Sequence, residues 1–230
     1  MKKTLIFQDG PTLEEIKKYF DKVDGYTFNP SLFKKLGAKD YLGFTKQILN
    51  YTKEKSVSIE VFADNQDDCY EQAMKIKSVD PNIVVKIPIS YTNGKSTVSL
   101  INKLVKDDVK LNITAIFTID QIKQVLPEIK STKTILSIFS GRLFDIGVDA
   151  FKAFSEISNH VRSCSDCKTL WASCRMAYDF KLAEKAGADI ITMPTDLIAK
   201  LGKFGYDPTK YSIDTVKAFF DDAKKSDFKI

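Results

Sequence analysis

Short apolar, β-branched runs alternate with longer amphipathic segments along the whole chain. The runs predict eight strands, at residues 5–7, 26–28, 57–62, 83–87, 111–115, 134–138, 169–172 and 190–192. Between them, segments such as residues 39–51 and 67–77 place apolar side chains at three- and four-residue spacing, which predicts helices. Strand and helix alternating in this way predict parallel β/α units with right-handed crossovers.

The length and the apolar character of the strands decide between two parallel architectures. Eight repeats with both strand faces apolar favour a closed (β/α)8 (TIM) barrel, an α/β fold, over an open doubly wound sheet. No linker divides residues 1–230, so we expect a single TIM-barrel catalytic domain, with an extra C-terminal helix at residues 212–228. Neither GxGxxG nor GxxxxGK[ST] occurs, so a nucleotide-binding fold has little support.

Charge and hydropathy narrow the classes of partner. The net charge of +5 is spread along the chain, which favours an anionic small molecule weakly and nucleic acid still less. No apolar run approaches the roughly 20 residues of a membrane span. Residues 1–4 are not followed by the long apolar core of a signal peptide. We therefore expect a cytoplasmic protein with no membrane or nucleic-acid partner.

Cysteine and histidine usage argues against a metal centre. Cys164 and Cys167 form a CxxC, but no second pair follows at zinc-site spacing and His160 is the only histidine. We interpret the cysteines as reduced structural thiols and expect neither a metal nor another cofactor.

Lys86 interrupts an otherwise apolar run, Ile-Val-Val-Lys-Ile-Pro-Ile at residues 83–89. In a buried barrel strand neither face contacts bulk water, and a lysine ammonium there costs free energy unless it loses its proton. A neutral lysine is the nucleophile that forms imines with ketones. The alternative is a lysine near a strand end whose stem extends outward to solvent.

Further polar side chains stand at the ends of predicted strands, where TIM-barrel chemistry lies. An imine mechanism needs groups that move protons, and these positions supply them. Taken singly, some have simpler explanations: Asp9-Gly10-Pro11 is a plausible turn and Asn29-Pro30 a plausible helix start. Metal-dependent aldol cleavage would need several histidine or carboxylate ligands, which one histidine makes improbable. The strand-end set is Asp9, Asn29, Glu60, Lys86, Asn112, Thr114, Ser137, Arg142, Ser173 and Arg175.

Five short motifs, in order and at matching spacing, resemble those of the transaldolase family, including its short members and the related fructose-6-phosphate aldolases. They extend from the first strand to about residue 196, most of the chain. The motifs are Thr27-Phe-Asn29-Pro-Ser, Val-Val-Lys86-Ile-Pro, Asn112-Ile-Thr114-Ala, Ser137-Ile-Phe139-Ser-Gly-Arg142 and Ala-Ser173-Cys-Arg175.

The resemblance implies a role for each matching residue. Lys86 would form the Schiff base with a dihydroxyacetone unit, and Glu60 and Thr114 would hold the water that serves its formation and hydrolysis. The general acid/base of the family aligns with Gln8 or Asp9; we choose Asp9 because only a carboxyl exchanges protons near neutral pH. The other matches would bind a sugar phosphate: its hydroxyls at Asn29, Asn112 and Ser137, its phosphate at Arg142, Ser173 and Arg175, with Thr27 and Phe139 beside them.

Two matches favour a transferase, a transaldolase of the pentose phosphate pathway. The lyase branch carries glutamine and tyrosine where this chain has Glu60 and Phe139. A fructose-6-phosphate aldolase-like lyase, an enzyme for another modified sugar, and a non-catalytic binding barrel remain alternatives. Phe28, which replaces a family threonine, is expected to enlarge the pocket wall. The C-terminal helix could support a homo-oligomer.

Overall fold

The computed structural model describes residues 3–226 and residue 228. Its eight parallel strands form a closed barrel in which each strand bonds to the next along the chain and the last bonds to the first. This confirms the (β/α)8 prediction. The strands are β1 (Leu5–Asp9), β2 (Gly25–Phe28), β3 (Ser56–Glu60), β4 (Val84–Pro88), β5 (Leu111–Ile116), β6 (Ile135–Ile138), β7 (Lys168–Trp171) and β8 (Ile190–Met193).

Helices connect the strands around the outside of the barrel. Several begin at a side-chain cap: Thr12 and Thr118 form capping boxes with Glu15 and Gln121. The helices are α1 (Leu13–Tyr19), α2 (Pro30–Lys35), α3 (Tyr41–Thr52), α4 (Gln66–Lys77), α5 (Val98–Lys106), α6 (Ile119–Ile129), α7 (Ser140–Asp145), α8 (Ala150–Cys164), α9 (Asp179–Ala186), α10 (Thr195–Leu201) and α11 (Pro208–Lys225).

The element boundaries differ from prediction by a few residues. β1 extends two residues further, to Asp9, and β3 ends at Glu60, so that Phe62 lies beyond the strand with 58% of its surface exposed. The predicted C-terminal helix at residues 212–228 begins earlier, at Pro208, and ends at Lys225. Position 227 of that prediction lies outside the described residues.

Alternation along the strands separates two apolar clusters. Outward positions such as Val85 and Ile87 are fully buried against the helices and belong to the larger cluster. Inward side chains form a second cluster inside the barrel: Phe7, Val84, Ile135, Leu170 and Ile190 lie within the strands, and Ala172 follows β7. Below the level at which Lys86 enters it, the barrel interior is therefore mostly apolar, with Ser58 beside Val84 as a polar exception.

Candidate active site

A cavity of about 210 Å³ opens at the carboxyl-terminal ends of the strands. Ten of the twelve predicted site residues line it: Asp9, Thr27, Asn29, Lys86, Thr114, Ser137, Phe139, Arg142, Ser173 and Arg175. Asn29 also caps α2, since its Oδ1 accepts a hydrogen bond from the Leu32 backbone at 2.9 Å. Asn29 can therefore begin α2 and line the cavity at the same time, as both interpretations from the sequence require.

Lys86 lies inside the barrel and does not extend outward. The β3–β4 register places it directly beside Glu60, and its Nζ lies 3.0 Å from Glu60 Oε2. The two side chains are 7% and 16% exposed. The sequence led us to expect that loss of charge relieves the cost of burying this lysine. The structure instead shows a carboxylate at ion-pairing distance, which offsets the same cost.

Glu60 and Asn112 do not line the cavity themselves. Glu60 borders a neighbouring cavity between β3 and β4 and reaches the site through Lys86. Asn112 is fully buried, beside Lys86 in the β4–β5 register. Its Nδ2 donates to Ser58 Oγ at 3.1 Å, and its Oδ1 accepts from Ser137 Oγ at 2.7 Å. Asn112 therefore orients Ser137.

Gln8 and Asp9 are consecutive residues of β1 and face opposite sides of the strand, so only one of them reaches the cavity. Gln8 is buried on the outer face, where its Nε2 donates to Thr195 Oγ1 at 3.0 Å. Asp9 points into the cavity and accepts a hydrogen bond from Thr27 Oγ1 at 2.7 Å. Desolvation raises the pKa of the Asp9 carboxyl, against the opposing effects of Lys86 and of the Thr27 hydrogen bond. Glu60 adds to the increase.

The expectation that Phe28 enlarges the pocket wall is wrong. Phe28 is fully buried in the outer cluster and packs edge-on against Phe33 of α2, with ring centroids 5.5 Å apart. Thr27, the preceding residue, is the one that faces inward. Because consecutive residues of a strand face opposite sides, the substitution at residue 28 changes the helix contact and leaves the cavity wall unchanged.

Thr114 lines the cavity beside an irregularity in β5. Ala115 has a φ of 58°, and the β5–β6 register shifts between Ile113 and Ile116. Bulges of this kind re-aim side chains next to binding sites. Thr114 is 1% exposed, and its Oγ1 makes no hydrogen bond within the described part of the chain. This hydroxyl is free to bond a water molecule or a substrate oxygen.

The basic end of the cavity is built from the first turn of α7 and the loop that follows β7, which contact each other closely. Gly141 approaches the Ser173 carbonyl so closely that a Cβ at residue 141 would lie 1.6 Å from that oxygen. Ser173 itself has a φ of 65°. The next turn is held by Asp179, whose Oδ2 accepts from the backbone nitrogens of Arg175 and Met176 at 2.6 and 3.1 Å.

The two guanidiniums at this end have different partners. Arg175 Nε donates to both carboxylate oxygens of Asp145, at 3.0 and 3.1 Å, and Nη2 makes a further short contact with Oδ2. This hydrogen bonding lowers the pKa of Asp145. Arg142 lies over the Phe139 ring, 5.2 Å from its centroid. The arrangement leaves a positively charged, solvent-accessible rim that suits an anionic group.

The sequence missed four lining residues: Ala172, Cys174, Thr192 and Pro194. Thr192 Oγ1 lies 2.6 Å from Thr27 Oγ1, so a hydrogen bond links β8 to the hydroxyl that donates to Asp9. Its place at the end of a predicted strand was a signal for it. Cys174 Sγ donates to the Thr192 carbonyl at 3.1 Å, and burial raises the pKa of this thiol well above its usual value. It is therefore a poor nucleophile.

The CxxC cysteines bond to separate carbonyl groups. Cys167 Sγ donates to Ile129 O at 3.3 Å, and burial raises its pKa to about 11. Cys164 is exposed, with Sγ 3.0 Å from His160 O. Among residues 3–226 and 228, no cluster of three or more histidine, cysteine, aspartate or glutamate side chains is arranged to hold a metal ion.

The fold and site define a class: a (β/α)8 barrel whose carboxyl-terminal mouth combines a lysine, two carboxylates and two guanidiniums. Residues 6–230 match the family described as transaldolase/fructose-6-phosphate aldolase. A protein of Methanococcus vannielii named "Probable transaldolase" is 34% identical over 218 residues, 94% of this chain and 96% of that protein. A protein of Thermoplasma volcanium with the same name is 35% identical, covering 86% and 87%. The chain belongs to the transaldolase/fructose-6-phosphate aldolase family.

Solved structures with much lower sequence identity share the barrel. N-acetylneuraminate lyase from Mycoplasma synoviae superposes with a TM-score of 0.53 at 13% identity, over 95% of this chain and 76% of that one. Thiamine phosphate pyrophosphorylase from Pyrococcus furiosus gives 0.57 at 10% identity, over 86% and 88%. At such identities the likeness shows the fold alone. Within the described residues, none of the helices has the length and apolarity to span a membrane.

The environment of Asp9 predicts an unusual dependence of stability on pH. Its folded-state pKa lies above the ordinary 3.8, so its contribution to stability is complete below that value and is lost as pH rises through the folded-state pKa. Asp9→Asn keeps an oxygen for Thr27 and removes the buried charge. We expect Asp9→Asn to raise the melting temperature at pH 7, by an amount that shrinks toward pH 4, in scanning calorimetry.

A matched control has the opposite sign. Hydrogen bonds from the Thr92 hydroxyl and backbone lower the pKa of Asp64, so this carboxylate contributes stability that is lost as pH falls. Asp64→Asn should lower the melting temperature at pH 7. Equal, pH-independent shifts for the two variants would show that the Asp9 carboxyl is not desolvated.

Proposed function

We propose that this protein is a transaldolase that transfers a dihydroxyacetone unit from a ketose phosphate to an aldose phosphate through a Schiff base on Lys86. The observation that carries the proposal is the buried Lys86–Glu60 pair, at 3.0 Å, opening onto a cavity that also holds Asp9. Family membership supports aldol-type chemistry in general. The residues around the Lys86 amine are what supports the transfer reaction in particular.

The first half of the reaction forms the imine and cleaves the donor. Glu60 takes the proton of Lys86, and the neutral Nζ attacks the donor carbonyl carbon. Loss of water from the carbinolamine leaves an iminium, and Thr114 Oγ1, which is otherwise unbonded within the described residues, orients that water. Asp9 then takes the proton of the hydroxyl at the cleaved bond. The bonding electrons pass into the iminium as an enamine, and the aldehyde product leaves.

The second half reverses these steps on another aldehyde. The enamine carbon attacks the acceptor carbonyl, Asp9 returns its proton to the new alkoxide, and water hydrolyses the iminium to restore the lysine. The raised pKa of Asp9 suits a group that must both accept and return a proton near neutral pH. The guanidiniums of Arg142 and Arg175 bind the phosphate at the far end of either sugar.

Reductive trapping tests the nucleophile. Borohydride added to the protein with fructose 6-phosphate should leave a stable adduct on the peptide containing Lys86, located by mass spectrometry. Lys86→Met should give no adduct. Lys55→Met is the matched control, since Lys55 is another partly buried lysine but donates to the Val23 carbonyl at 2.7 Å, away from the cavity. Failure of the unaltered protein to trap any ketose or ketose phosphate would refute the mechanism.

Partition between transfer and release depends on residue 139. Phe139 has no hydroxyl that could help water protonate the enamine, so the intermediate persists until an aldehyde acceptor binds. We expect Phe139→Tyr to increase release of free dihydroxyacetone from fructose 6-phosphate several-fold, measured by enzymatic reduction of the product. Phe117→Tyr is the control, because its ring packs on that of Phe139 at 5.8 Å but does not line the cavity. Unchanged release would show that residue 139 does not control the partition between transfer and release.

Arg175 is tested by comparing charged and uncharged donors. Hydrogen bonds to charged groups contribute about 1.5–3 kcal/mol, equivalent to roughly tenfold or more in binding. Arg175→Ala should raise KM for fructose 6-phosphate by about that factor and leave KM for dihydroxyacetone almost unchanged. Arg162→Ala, which removes a guanidinium bonded to Ser158 and Gly187 outside the cavity, should change neither value. Equal changes for both donors would exclude Arg175 from the phosphate site.

We also propose that α11 mediates assembly with a second copy of the chain. All of its residues are exposed, and its apolar side chains include Tyr211, Val216, Phe219 and Phe220, which are 49–68% exposed. An exposed apolar surface of this kind is typical of an interaction site. Light scattering should show an oligomer that Phe219→Glu/Phe220→Glu dissociates and Lys217→Glu does not. A monomeric unaltered protein would contradict this proposal and leave the catalytic one intact.

A further inference from the structure

A cavity larger than the candidate active site lies at the opposite end of the barrel. Its volume is about 550 Å³. The first residues of seven strands line it: Leu5, Ser56, Val84, Leu111, Ile135, Lys168 and Ile190. We call it the amino-terminal cavity. Its size lies within the range of small-molecule sites, and it shares no lining residue with the cavity around Lys86.

Short and charged side chains at inward positions leave this space open. The interiors of such barrels are usually filled by layers of bulky branched residues. Here β3 begins with Ser56, whose side chain is short. At Gly25, the first residue of β2, the Phe7 ring already fills the place of a side chain, since a Cβ there would lie 2.7 Å from it. On the opposite side β7 begins with Lys168, which shares the inward face of Leu170. The inner layer at this end is therefore incomplete.

The floor of the amino-terminal cavity is apolar. Phe7, Val84, Ile135 and Ile190 line it and belong to the cluster inside the barrel. Each is at most 7% exposed, so the floor is shielded from bulk solvent. A ligand with an apolar body would therefore gain free energy mainly by removing its own apolar surface from water, at about 25 cal/mol for each Å².

The rim of the cavity is charged, with a cationic excess. It carries Lys110, Lys133 and Lys168 against Asp24 and Asp108, three positive charges and two negative. The Asp24 carboxylate already has a partner within the chain, since its Oδ2 accepts a hydrogen bond from the Ile6 backbone nitrogen at 2.8 Å.

Two of the lysines are available to a ligand. Lys110 donates to Asn82 Oδ1 at 2.9 Å. The side chains of Lys133 and Lys168 make no hydrogen bond or ion pair with any described residue. Lys168 is only partly exposed, so an anion beside it would be less screened than one on the open surface.

From the apolar floor, the two unpaired lysines and the volume, we propose that the amino-terminal cavity binds a small organic monoanion with an apolar body, such as a medium-chain carboxylate. The body lies against Phe7, Val84, Ile135 and Ile190, and the anionic group lies beside Lys133 and Lys168. The site is separate from the proposed reaction, and it stands whether or not Lys86 forms a Schiff base.

Calorimetric titration with octanoate at low ionic strength tests the proposal. We expect saturable binding of one octanoate per chain, and clearly weaker binding of the uncharged 1-octanol. Lys168→Glu should weaken octanoate binding at least about fivefold, close to 1 kcal/mol. Lys46→Glu makes the same charge change on the exposed outer face of α3 and should leave binding unaltered. Ser56→Leu, which fills part of the cavity, should weaken binding of both ligands.

Variants at the other end of the barrel locate the ligand. Lys86→Met should bind octanoate like the unaltered protein, which separates this site from the candidate active site. Absence of saturable binding, equal effects of Lys168→Glu and Lys46→Glu, or loss of binding in Lys86→Met would each overturn the proposal. Circular dichroism of Lys168→Glu, Ser56→Leu and Lys86→Met establishes that each variant is folded before its affinity is compared.

Discussion

The pairing of Lys86 with Glu60 inside a closed barrel is the interaction on which the site depends. An amine and a carboxylate that are 7% and 16% exposed are stable there because each offsets the desolvation of the other at 3.0 Å. Removing one partner of such a pair typically costs about 3–5 kcal/mol, because the remaining charge is left buried. The parallel register makes the pairing unavoidable: Glu60 and Lys86 are direct neighbours on β3 and β4, and both face inward. The same register places Asn112 on the other side of Lys86.

Alternation within the strands divides the barrel interior into layers of different chemistry. Toward the carboxyl ends the inward positions are polar, with Asp9, Lys86 and Thr114 around one cavity. Toward the amino ends they are mostly apolar, apart from Ser56 and Lys168, and Phe7 and Val84 lie in the interior beneath the amine. A dry layer below and a hydrogen-bonded layer above keep Lys86 from water on one side and expose it to ligands on the other.

The sequence predicted the features that depend on periodicity and chain order. Strand number, closure and the gathering of strand-end residues follow from a two-residue repeat and parallel connections. The direction of Lys86 was left open between the barrel interior and the solvent, and the structure places it inside. The two-residue repeat, applied strictly, would have corrected the expectation for Phe28, since Thr27 and its neighbour cannot both face inward. It would also have separated Asp9 from Gln8 without an alignment. Periodicity does not predict how deeply an inward side chain is buried. It does not distinguish Asn112, which is fully buried and does not line the cavity, from Ser137, which does.

The basic end of the site was the least predictable part, because loops build it and their backbone conformations are local. Ser173 adopts a left-handed φ of 65° although it is not glycine, a conformation that costs on the order of 1–3 kcal/mol and needs support from its surroundings. Asp179 holds this loop further on, at the backbone nitrogens of Arg175 and Met176, and Gly141 at the start of α7 lies close to the Ser173 carbonyl. This close approach explains why a glycine precedes Arg142 in its motif: a side chain there would push α7 away from the loop that carries Arg175. The position of the Arg175 guanidinium therefore depends on a strained residue two positions earlier in the same loop, a dependence that exists only in the folded chain.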